Sequence, residues 1–150
     1  LVAVLVLDPS QLARDQVELI EQLSPELSLV HVQAGQIQQI LLNLVQNGRD
    51  AVTTGRRRGR IVVRTWQLDG VIRLSVEDDG PGVRSADQEK IFEPFYTTKE
   101  NGKGTGLGLA VCRTIATSHG GNLSAEPSDD GACFVLEIPA ADTASLTALN

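Results

Sequence analysis

The sequence predicts an α+β fold, a two-layer α/β sandwich in which a mixed β-sheet is covered on one face by about three helices. Two segments, 36–53 and 106–118, carry apolar residues at helical spacing. Two pairs of strand-like runs are joined by turn signals, Asp69-Gly70 in one pair and 128–131 in the other. Strands that are joined by hairpins in some places and separated by helices in others form mixed sheets, whose helices pack on one face.

The first third of the chain is predicted to hold a helix, a short strand and a longer helix. Residues 10–23 have apolar side chains at helical positions, and Pro25 prevents this helix from continuing. Residues 27–32 are predicted as a short strand. In 36–53 the apolar residues fall on one broad face, so this segment is the strongest helix prediction of the chain.

The remaining strands are predicted as two hairpins. Residues 60–68 and 71–78 form the first, and residues 122–126 and 132–138 form the second. The polar, alanine-rich tail from residue 140 onward is expected to fray.

Two further helices are predicted between these hairpins. Ser85 and Gln88 have the spacing of a capping box for a short helix that ends near Ile91. The helix over 106–118 is expected to stop at Gly120-Gly121, because glycine favours helix C-termini.

Composition excludes several classes of protein. The net charge of −6 argues against nucleic acid as a partner. The basic run over 56–60 is interpreted as a solvated loop or a docking patch. The apolar run 1–7 is too short to cross a bilayer, and no membrane contact is expected. Cys112 and Cys133 lack metal-ligand spacing, which favours small buried side chains in a reducing compartment. The chain has no methionine, which indicates an excised fragment.

The long helix carries a polar stripe beside its apolar face. Asn43, Asn47 and Asp50 recur at i, i+4 and i+7, so they lie on one side of the helix. Such a stripe can line a cleft, and asparagine oxygens are suitable ligands for a Mg²⁺ ion that also binds phosphates. The alternative is a solvated flank.

Asp78 ends a predicted strand and is followed by Gly80 and Gly82. Its position has the same parity as the apolar residues over 72–76, so its carboxylate is expected to point toward the core. A buried acceptor is useful when a ligand brings a donor such as the exocyclic amine of adenine. The glycines let the backbone pass close to a flat ring, although a plain turn is the alternative.

The segment 91–105 has no clear period. It contains three of the chain's five aromatic residues, Phe92, Phe95 and Tyr96. We expect this cluster to anchor one end of a loop over 96–105, the lid loop, which moves over a site. Lys99 and Lys103 place positive charge on it.

Gly104, Gly106 and Gly108 stand at the mouth of the third helix. Glycine lowers helix stability, so three together favour a close backbone approach to a ligand or a mobile surface loop. The spacing matches neither a P-loop nor a dinucleotide fingerprint. A helix N-terminus nevertheless attracts phosphate.

Four blocks in this order resemble the catalytic and ATP-binding domain of bacterial sensor histidine kinases. NLVQN with RDA over 43–51 looks like the N box, and DDGPG over 78–82 like the first glycine box. IFEPFYTTK over 91–99 looks like the F box, and GKGTGLGL over 102–109 like the second glycine box. The short loop after FYTTK is most similar to the nitrogen-regulatory and oxygen-sensing subgroup.

The resemblance implies a domain plan and a fold. Residues 27–139 would form the ATP-binding catalytic domain with the Bergerat fold. Residues 1–26 would be a linker or the remnant of a preceding helical dimerization region, and residues 140–150 a flexible tail.

The resemblance also implies a site for ATP and Mg²⁺. Asn47 would hold the metal with Asn43 beside it, and Asp78 would accept from the adenine amine. Asn43, Lys99 and Lys103 would act in catalysis. The nucleotide-binding set would be Asn47, Asp50, Ala51, Asp78, Gly80, Gly82, Val83, Ile91, Thr98, Lys99, Gly104, Thr105, Gly106, Leu107 and Gly108.

By the same resemblance, the function is transfer of the γ-phosphoryl group of ATP to a histidine on a separate dimerization domain of the parent protein. A response regulator is the implied downstream partner. The fragment is expected to be monomeric and cytoplasmic, and the parent to be a homodimer, either membrane-anchored or not. The alternatives are a non-kinase ATPase or an anti-sigma-factor serine kinase of the same fold, or an inactive nucleotide-binding module.

The sequence departs from the family pattern at several positions. Gly48 replaces a preferred alanine, and Asp50 stands where some members carry a base. Asn43 is an amide where the related ATPases carry a glutamate. His31 and His119 lack the helical context of a phosphoacceptor, so both are interpreted as structural.

Overall fold

The computed structural model describes residues 9–54, 58–97, 99 and 104–142. Its helices are α1 (Pro9–Arg14), α2 (Ala34–Thr53) and α3 (Gly108–Ser118). Its strands are β1 (Val17–Leu23), β2 (Gly59–Leu68), β3 (Val71–Asp78), β4 (Asn122–Glu126) and β5 (Cys133–Pro139). They form one five-stranded sheet in the order β1-β2-β3-β5-β4.

The sheet is mixed, as predicted. β1 runs parallel to β2, and the pairs β2–β3, β3–β5 and β4–β5 are antiparallel. The hairpin between β2 and β3 turns at Asp69 and Gly70, whose φ angles of 52° and 73° both lie in the left-handed region. Two such residues form the tight turn that Asp-Gly favours, so this prediction is confirmed.

The core lies between one face of the sheet and the helices α2 and α3. Ile40, Leu44 and Val45 of α2 are fully or almost fully buried, as are Ile61 and Val63 of β2. This buried apolar face of α2 follows the predicted helical spacing. The predicted two-layer arrangement is therefore confirmed.

The predicted helix over 10–23 is confirmed only over 10–14 and is wrong for the rest of the segment. α1 ends at Arg14, Gln16 adopts a left-handed φ of 57°, and residues 17–23 form the edge strand β1. β1 pairs with β2 from Val17↔Gly59 to Leu23↔Thr65. This pairing with a strand distant in sequence overrides the weak helical spacing. The assignment of 1–26 to a linker remains a prediction.

The predicted strand over 27–32 is also wrong, because residues 24–33 have no regular structure. Side chains of β2 bind the backbone of this segment: the amide of Ser24 donates to Thr65 Oγ1, and the amide of Ser28 donates to Gln67 Oε1, each at 2.9 Å. Val30 and Val32 still pack on the core.

The predicted short helix over 85–91 is replaced by two 3-10 turns, Ser85–Asp87 and Lys90–Phe92. The capping box does not form. Instead, Arg84 Nε lies 2.6 Å from Asp87 Oδ2, and this ion pair holds the first turn. Gly120 has a φ of 71° just beyond the end of α3, as its predicted stop requires.

Among the described residues, no helix combines the length and the apolar character needed to cross a membrane. The run 1–7, Arg56 and Arg57 of the basic run and the tail from 143 lie outside the described residues, while Gly59 and Arg60 begin β2.

Candidate functional site

A cleft of about 420 Å³ lies between α2 and the chain that leads into α3. It brings together residues from three of the four predicted blocks, Val83 directly after the first glycine box, and Phe134 of β5. Its walls are Asn43, Gln46, Asn47, Asp50, Val83, Ile91, Tyr96, Thr97, Lys99, Gly104, Thr105, Gly106, Gly108, Leu109 and Phe134.

The polar stripe of α2 forms one wall of this cleft, so the prediction that it lines a cleft is confirmed. Asn43, Asn47 and Asp50 are all partly exposed. Asn43 also lies at the contact between α2 and α3, because a Cβ placed on Gly108 would come 2.8 Å from Asn43 Oδ1. Gly108 therefore allows the start of α3 to approach the stripe closely.

Lys99 lies across the cleft from the stripe. Its Nζ donates to Asp50 Oδ2 at 2.7 Å and to Asn47 Oδ1 at 3.5 Å. Among the described residues that line the cleft, Lys99 and Asp50 are the only charged pair, and they neutralise each other.

Asp78 is buried, with 6% of its surface exposed, as its strand parity predicts. Its Oδ1 accepts the amides of Gly80 at 2.9 Å and Ala132 at 3.4 Å. Burial raises the pKa of the Asp78 carboxyl above its usual value, whereas the two hydrogen bonds donated by backbone amides lower it. A negative charge is thus held in a poorly hydrated place.

Asp78 packs against α2 at Gly48 and does not line the cleft. A Cβ on Gly48 would come 3.5 Å from the Asp78 Cβ, and a Cβ on Gly80 would come 3.0 Å from that of Ala51. The carboxylate is instead part of a second depression, of about 350 Å³, that also includes Arg60 and Asp129.

Glycine is required at position 82 for a structural reason that the sequence did not reveal. Its φ is 79°, and a Cβ would come 2.8 Å from the carbonyl oxygen of Gly131. Gly82 packs against this loop between β4 and β5 and does not line the cleft. Its predicted approach to a ring remains a prediction.

Gly106 has a comparable reason. Its φ is 69°, and a Cβ would lie within 2.5–2.8 Å of the backbone of Phe95. The amide of Phe95 donates to the Gly106 carbonyl at 2.8 Å. Residue 106 therefore fastens the F-box segment to the start of α3, where the described residues supply no side-chain cap.

The aromatic cluster is only partly an anchor. Phe92 is buried against Phe134, with ring centroids 6.4 Å apart in an edge-to-face arrangement. The guanidinium of Arg113 lies 4.2 Å above the Phe92 ring and pairs with Glu89 at 2.9 Å. Phe95, in contrast, is 74% exposed, so its predicted anchoring role is wrong.

Several predicted site residues are not in the walls of the cleft, namely Ala51, Asp78, Gly80, Gly82 and Leu107. Thr98 and Lys103 lie outside the described residues. Sequence reasoning missed Phe134, although the alternation of β5 places it on the buried face. It also missed Gln46, Thr97 and Leu109, whose neighbours in the boxes were the available signal.

The cleft offers a metal ion few protein oxygens, so phosphate and water would have to supply the rest of its coordination. The described residues contain no cluster of three or more His, Cys, Asp or Glu side chains suited to a metal. Asn47 Oδ1 nevertheless already faces the ammonium of Lys99, so a cation is accepted at this oxygen. Mg²⁺ commonly uses only one or two protein oxygens besides substrate phosphates.

The two cysteines are free thiols. Burial raises the pKa of Cys112 to about 11, an effect that a hydrogen bond with Asn43 opposes. Burial also raises the pKa of Cys133 to about 11. Both are therefore protonated and poorly nucleophilic at neutral pH.

The chain belongs to the family described as histidine kinase-, DNA gyrase B- and HSP90-like ATPases, whose sequence profile matches residues 33–142. Within this ATP-binding family, the fold and the boxes define a catalytic domain of the sensor histidine kinase type. The predicted family membership and fold are confirmed.

Curated relatives are bacterial sensor proteins. The chain is 41% identical over 117 residues to the two-component sensor PprA of Pseudomonas aeruginosa, which covers 75% of this chain and 13% of PprA. It is 39% identical over 132 residues to the sensor protein FixL of Bradyrhizobium diazoefficiens, covering 87% of this chain and 26% of FixL. The chain thus spans only a small part of these relatives.

Solved structures have the same architecture. The nucleotide-free catalytic domain of histidine kinase ThkA superposes with a TM-score of 0.77 at 33% identity, covering 89% of this chain and 87% of that one. A second structure contains ThkA in complex with the response regulator TrrA, with a TM-score of 0.73 at 31% identity. It covers 89% of this chain and 37% of that one.

Proposed function

We propose that this domain binds ATP with Mg²⁺ and donates the γ-phosphoryl group to a histidine on a separate dimerization domain of the same parent protein. The observation that carries the proposal is the cleft, in which Asn47 and Lys99 face the start of α3, which no side chain of the described residues caps. An amide oxygen, an ammonium group and the backbone amides of a helix N-terminus are the partners that a metal-bound triphosphate requires.

The buried carboxylate of Asp78 would hold the adenine. Its Oδ1 is engaged by two backbone amides, which leaves Oδ2 for the exocyclic amine. Gly48 and Ala51 of α2 approach Asp78 and Gly80 closely, so small residues at these positions leave room beside the carboxylate. Val83, Ile91 and Phe134 supply an apolar wall of the cleft for the base.

The start of α3 and Lys99 would hold the phosphates, while Asn47, with Asn43 beside it, would hold Mg²⁺. The metal supplies charge neutralisation on the phosphate oxygens. The described residues then act by positioning: the amides at the start of α3 fix the phosphate chain, and Lys99 orients the terminal group. Thr98 and Lys103 keep their predicted roles by sequence position alone.

The partners follow from the relatives. The sensor proteins are several times longer than this chain, and ThkA forms a complex with a response regulator. We therefore propose a histidine-bearing domain and a response regulator as partners, in the cytoplasm.

Calorimetry with a non-hydrolysable ATP analogue, with and without Mg²⁺, tests the proposal. Saturable binding that Mg²⁺ strengthens is the expected result. This strengthening by Mg²⁺ should vanish with a nucleoside that lacks phosphates. Failure of the wild-type domain to bind the analogue in both conditions would overturn the proposal.

A further inference from the structure

The contact between Lys99 and Asp50 carries an inference about how the metal enters the site. Asn47 and Asp50 are one turn apart on α2, and both face the Nζ of Lys99, at 3.5 and 2.7 Å. The ammonium therefore lies beside the oxygen that the proposed function assigns to Mg²⁺. Lys99 and a metal ion cannot both occupy this position.

The charges of the cleft make this contact consequential. Asp50 is the only acidic residue among the described residues of the cleft walls, and Lys99 is the only basic one. Paired, they cancel. Unpaired, the carboxylate of Asp50 would repel phosphate and attract a divalent cation.

The pair is also easy to separate. The side chains of Lys99 and Asp50 are 34% and 46% exposed, and ion pairs this exposed contribute little to stability. A divalent ion beside Asn47 can therefore replace the ammonium at little cost.

We infer that Asp50 is a positioning residue that exchanges Lys99 for Mg²⁺ when the nucleotide binds. In the empty cleft, Asp50 holds the ammonium of Lys99 beside Asn47. On binding of the nucleotide with its metal, Mg²⁺ takes the place of the ammonium near Asp50, and Lys99 turns to the phosphates. The inference rests on the proposed function.

The exchange has a signature in the metal dependence of binding. Asp50→Asn adds one net positive charge, so the metal-free ATP analogue should bind about 3–10 times more tightly, while the gain from Mg²⁺ falls by about the same factor. Lys99→Gln should weaken binding of the metal-free analogue and increase the gain from Mg²⁺, because it exposes the carboxylate of Asp50 to phosphate and to Mg²⁺.

The experiment is calorimetry with the ATP analogue at several Mg²⁺ concentrations, on wild type, Asp50→Asn, Asp50→Glu and Lys99→Gln. Asp50→Glu should restore the wild-type metal dependence. Asp15→Asn is the matched control. Asp15 forms an ion pair with Arg49, which lies next to Asp50 on α2, and neither Asp15 nor Arg49 lines the cleft.

A second readout needs no nucleotide. Acylation of Lys99, followed by mass spectrometry, should be faster in Asp50→Asn than in wild type, because the ion pair no longer shields the amine. Asp15→Asn should leave this rate unchanged.

The outcomes separate the two proposals. If wild type does not bind the analogue, the proposed function fails. If wild type binds it but Asp50→Asn and Lys99→Gln shift the metal dependence in the same direction or not at all, the exchange is overturned while the proposed function stands.

Discussion

Asp78 combines two properties that conflict in the empty domain, a negative charge and burial. Its Oδ1 accepts the amides of Gly80 and Ala132, but these bonds do not fully offset the lost hydration, and burial raises the pKa of the carboxyl. A group kept at a cost to stability is a functional-site candidate, and here it packs against α2 at Gly48, next to Asn47 of the stripe.

The pKa of Asp78 predicts a pH dependence of stability. Its folded-state pKa lies above the usual value of 3.8, so between these two values the folded state binds the proton more tightly than the unfolded state. Stability should fall as pH rises through this interval, and the cost of the buried charge should remain at higher pH.

We predict that Asp78→Asn keeps the fold and weakens the binding of ATP. The amide removes the charge, so at pH 7 the free energy of unfolding should equal or exceed that of wild type, with the difference vanishing below the usual carboxyl pKa. Binding of the ATP analogue should weaken by about 1–3 kcal/mol, or roughly 5- to 150-fold, because the amide presents its NH₂ group to the adenine donor. Urea titrations across pH and calorimetry measure the two effects.

Asp79→Asn is the matched control for this variant. Asp79 follows Asp78 in the chain, and its Oδ1 accepts the amide of Arg60 outside the cleft. It should leave nucleotide affinity within twofold of wild type. Wild-type affinity in Asp78→Asn would reduce Asp78 to a turn residue.

The segment around Phe92 holds the two described ends of the lid loop to the rest of the domain. The Phe92 ring packs edge-to-face on Phe134 and lies under the guanidinium of Arg113, so it joins β5 to α3. From there the amide of Phe95 reaches Gly106. Order in the lid loop should therefore depend on this one ring.

We predict that Phe92→Leu lowers the free energy of unfolding by about 1–3 kcal/mol, because it removes an aromatic pair and a cation–π contact. Amide exchange should accelerate at Tyr96, Thr97 and 104–106 in the nucleotide-free domain. In wild type, nucleotide should slow exchange over the same segment. Equal, strong protection with and without nucleotide would contradict the expectation that the lid loop moves.

Phe95→Leu serves as the comparison for Phe92→Leu. The Phe95 ring is largely exposed, so its loss should change stability by no more than about 0.5 kcal/mol. A large loss of stability in Phe95→Leu would contradict the assignment of the anchor to Phe92.

How far the sequence predicted the structure depends on whether the signal was local. The burial of α2 follows from spacing within the helix, and the β2–β3 hairpin from two turn residues, so both predictions are confirmed. β1 was missed because its pairing depends on residues of β2 about forty positions later in the chain. An edge strand with few buried residues shows little alternation of its own.

The same reasoning applies to the site. The stripe of Asn43, Asn47 and Asp50 was predicted because one helix fixes its geometry. The contact of Lys99 with Asp50 depends on the path of a loop that has no periodic pattern. The left-handed φ of 69° at Phe95 turns that ring outward, and no sequence rule assigns such a conformation to phenylalanine.

Neither of the two histidines lines the cleft. The sequence contains only His31 and His119, and both border a separate depression at the start of α2 and the end of α3. His119 joins two helices: its Nε2 accepts the amide of Gln33 at 3.1 Å, and its Nδ1 lies 2.8 Å from the Ile115 carbonyl. This supports the prediction that His119 is structural.

The last prediction is that this domain binds ATP but neither labels itself nor hydrolyses ATP at an appreciable rate. Self-labelling should fail because neither histidine borders the cleft. Hydrolysis should fail because Asn43, which does border it, is an amide and cannot take a proton from water. The general-base contribution, typically about 10²–10⁴-fold, is therefore missing. A kinase benefits, since water would otherwise consume the phosphoryl group.

Phosphate release and radiolabel transfer from ATP measure this, on wild type and on Asn43→Glu, with and without a histidine-bearing helical domain added in trans. Asn43 packs against Gly108, so the longer side chain of Asn43→Glu must turn into the cleft, and nucleotide affinity is measured alongside to show that the site survives. Asn43→Glu should release phosphate faster than wild type. Label should reach only the added domain. Rapid phosphate release by the wild-type domain alone would favour an ATPase, and label on His31 or His119 would contradict the separation of catalyst and acceptor.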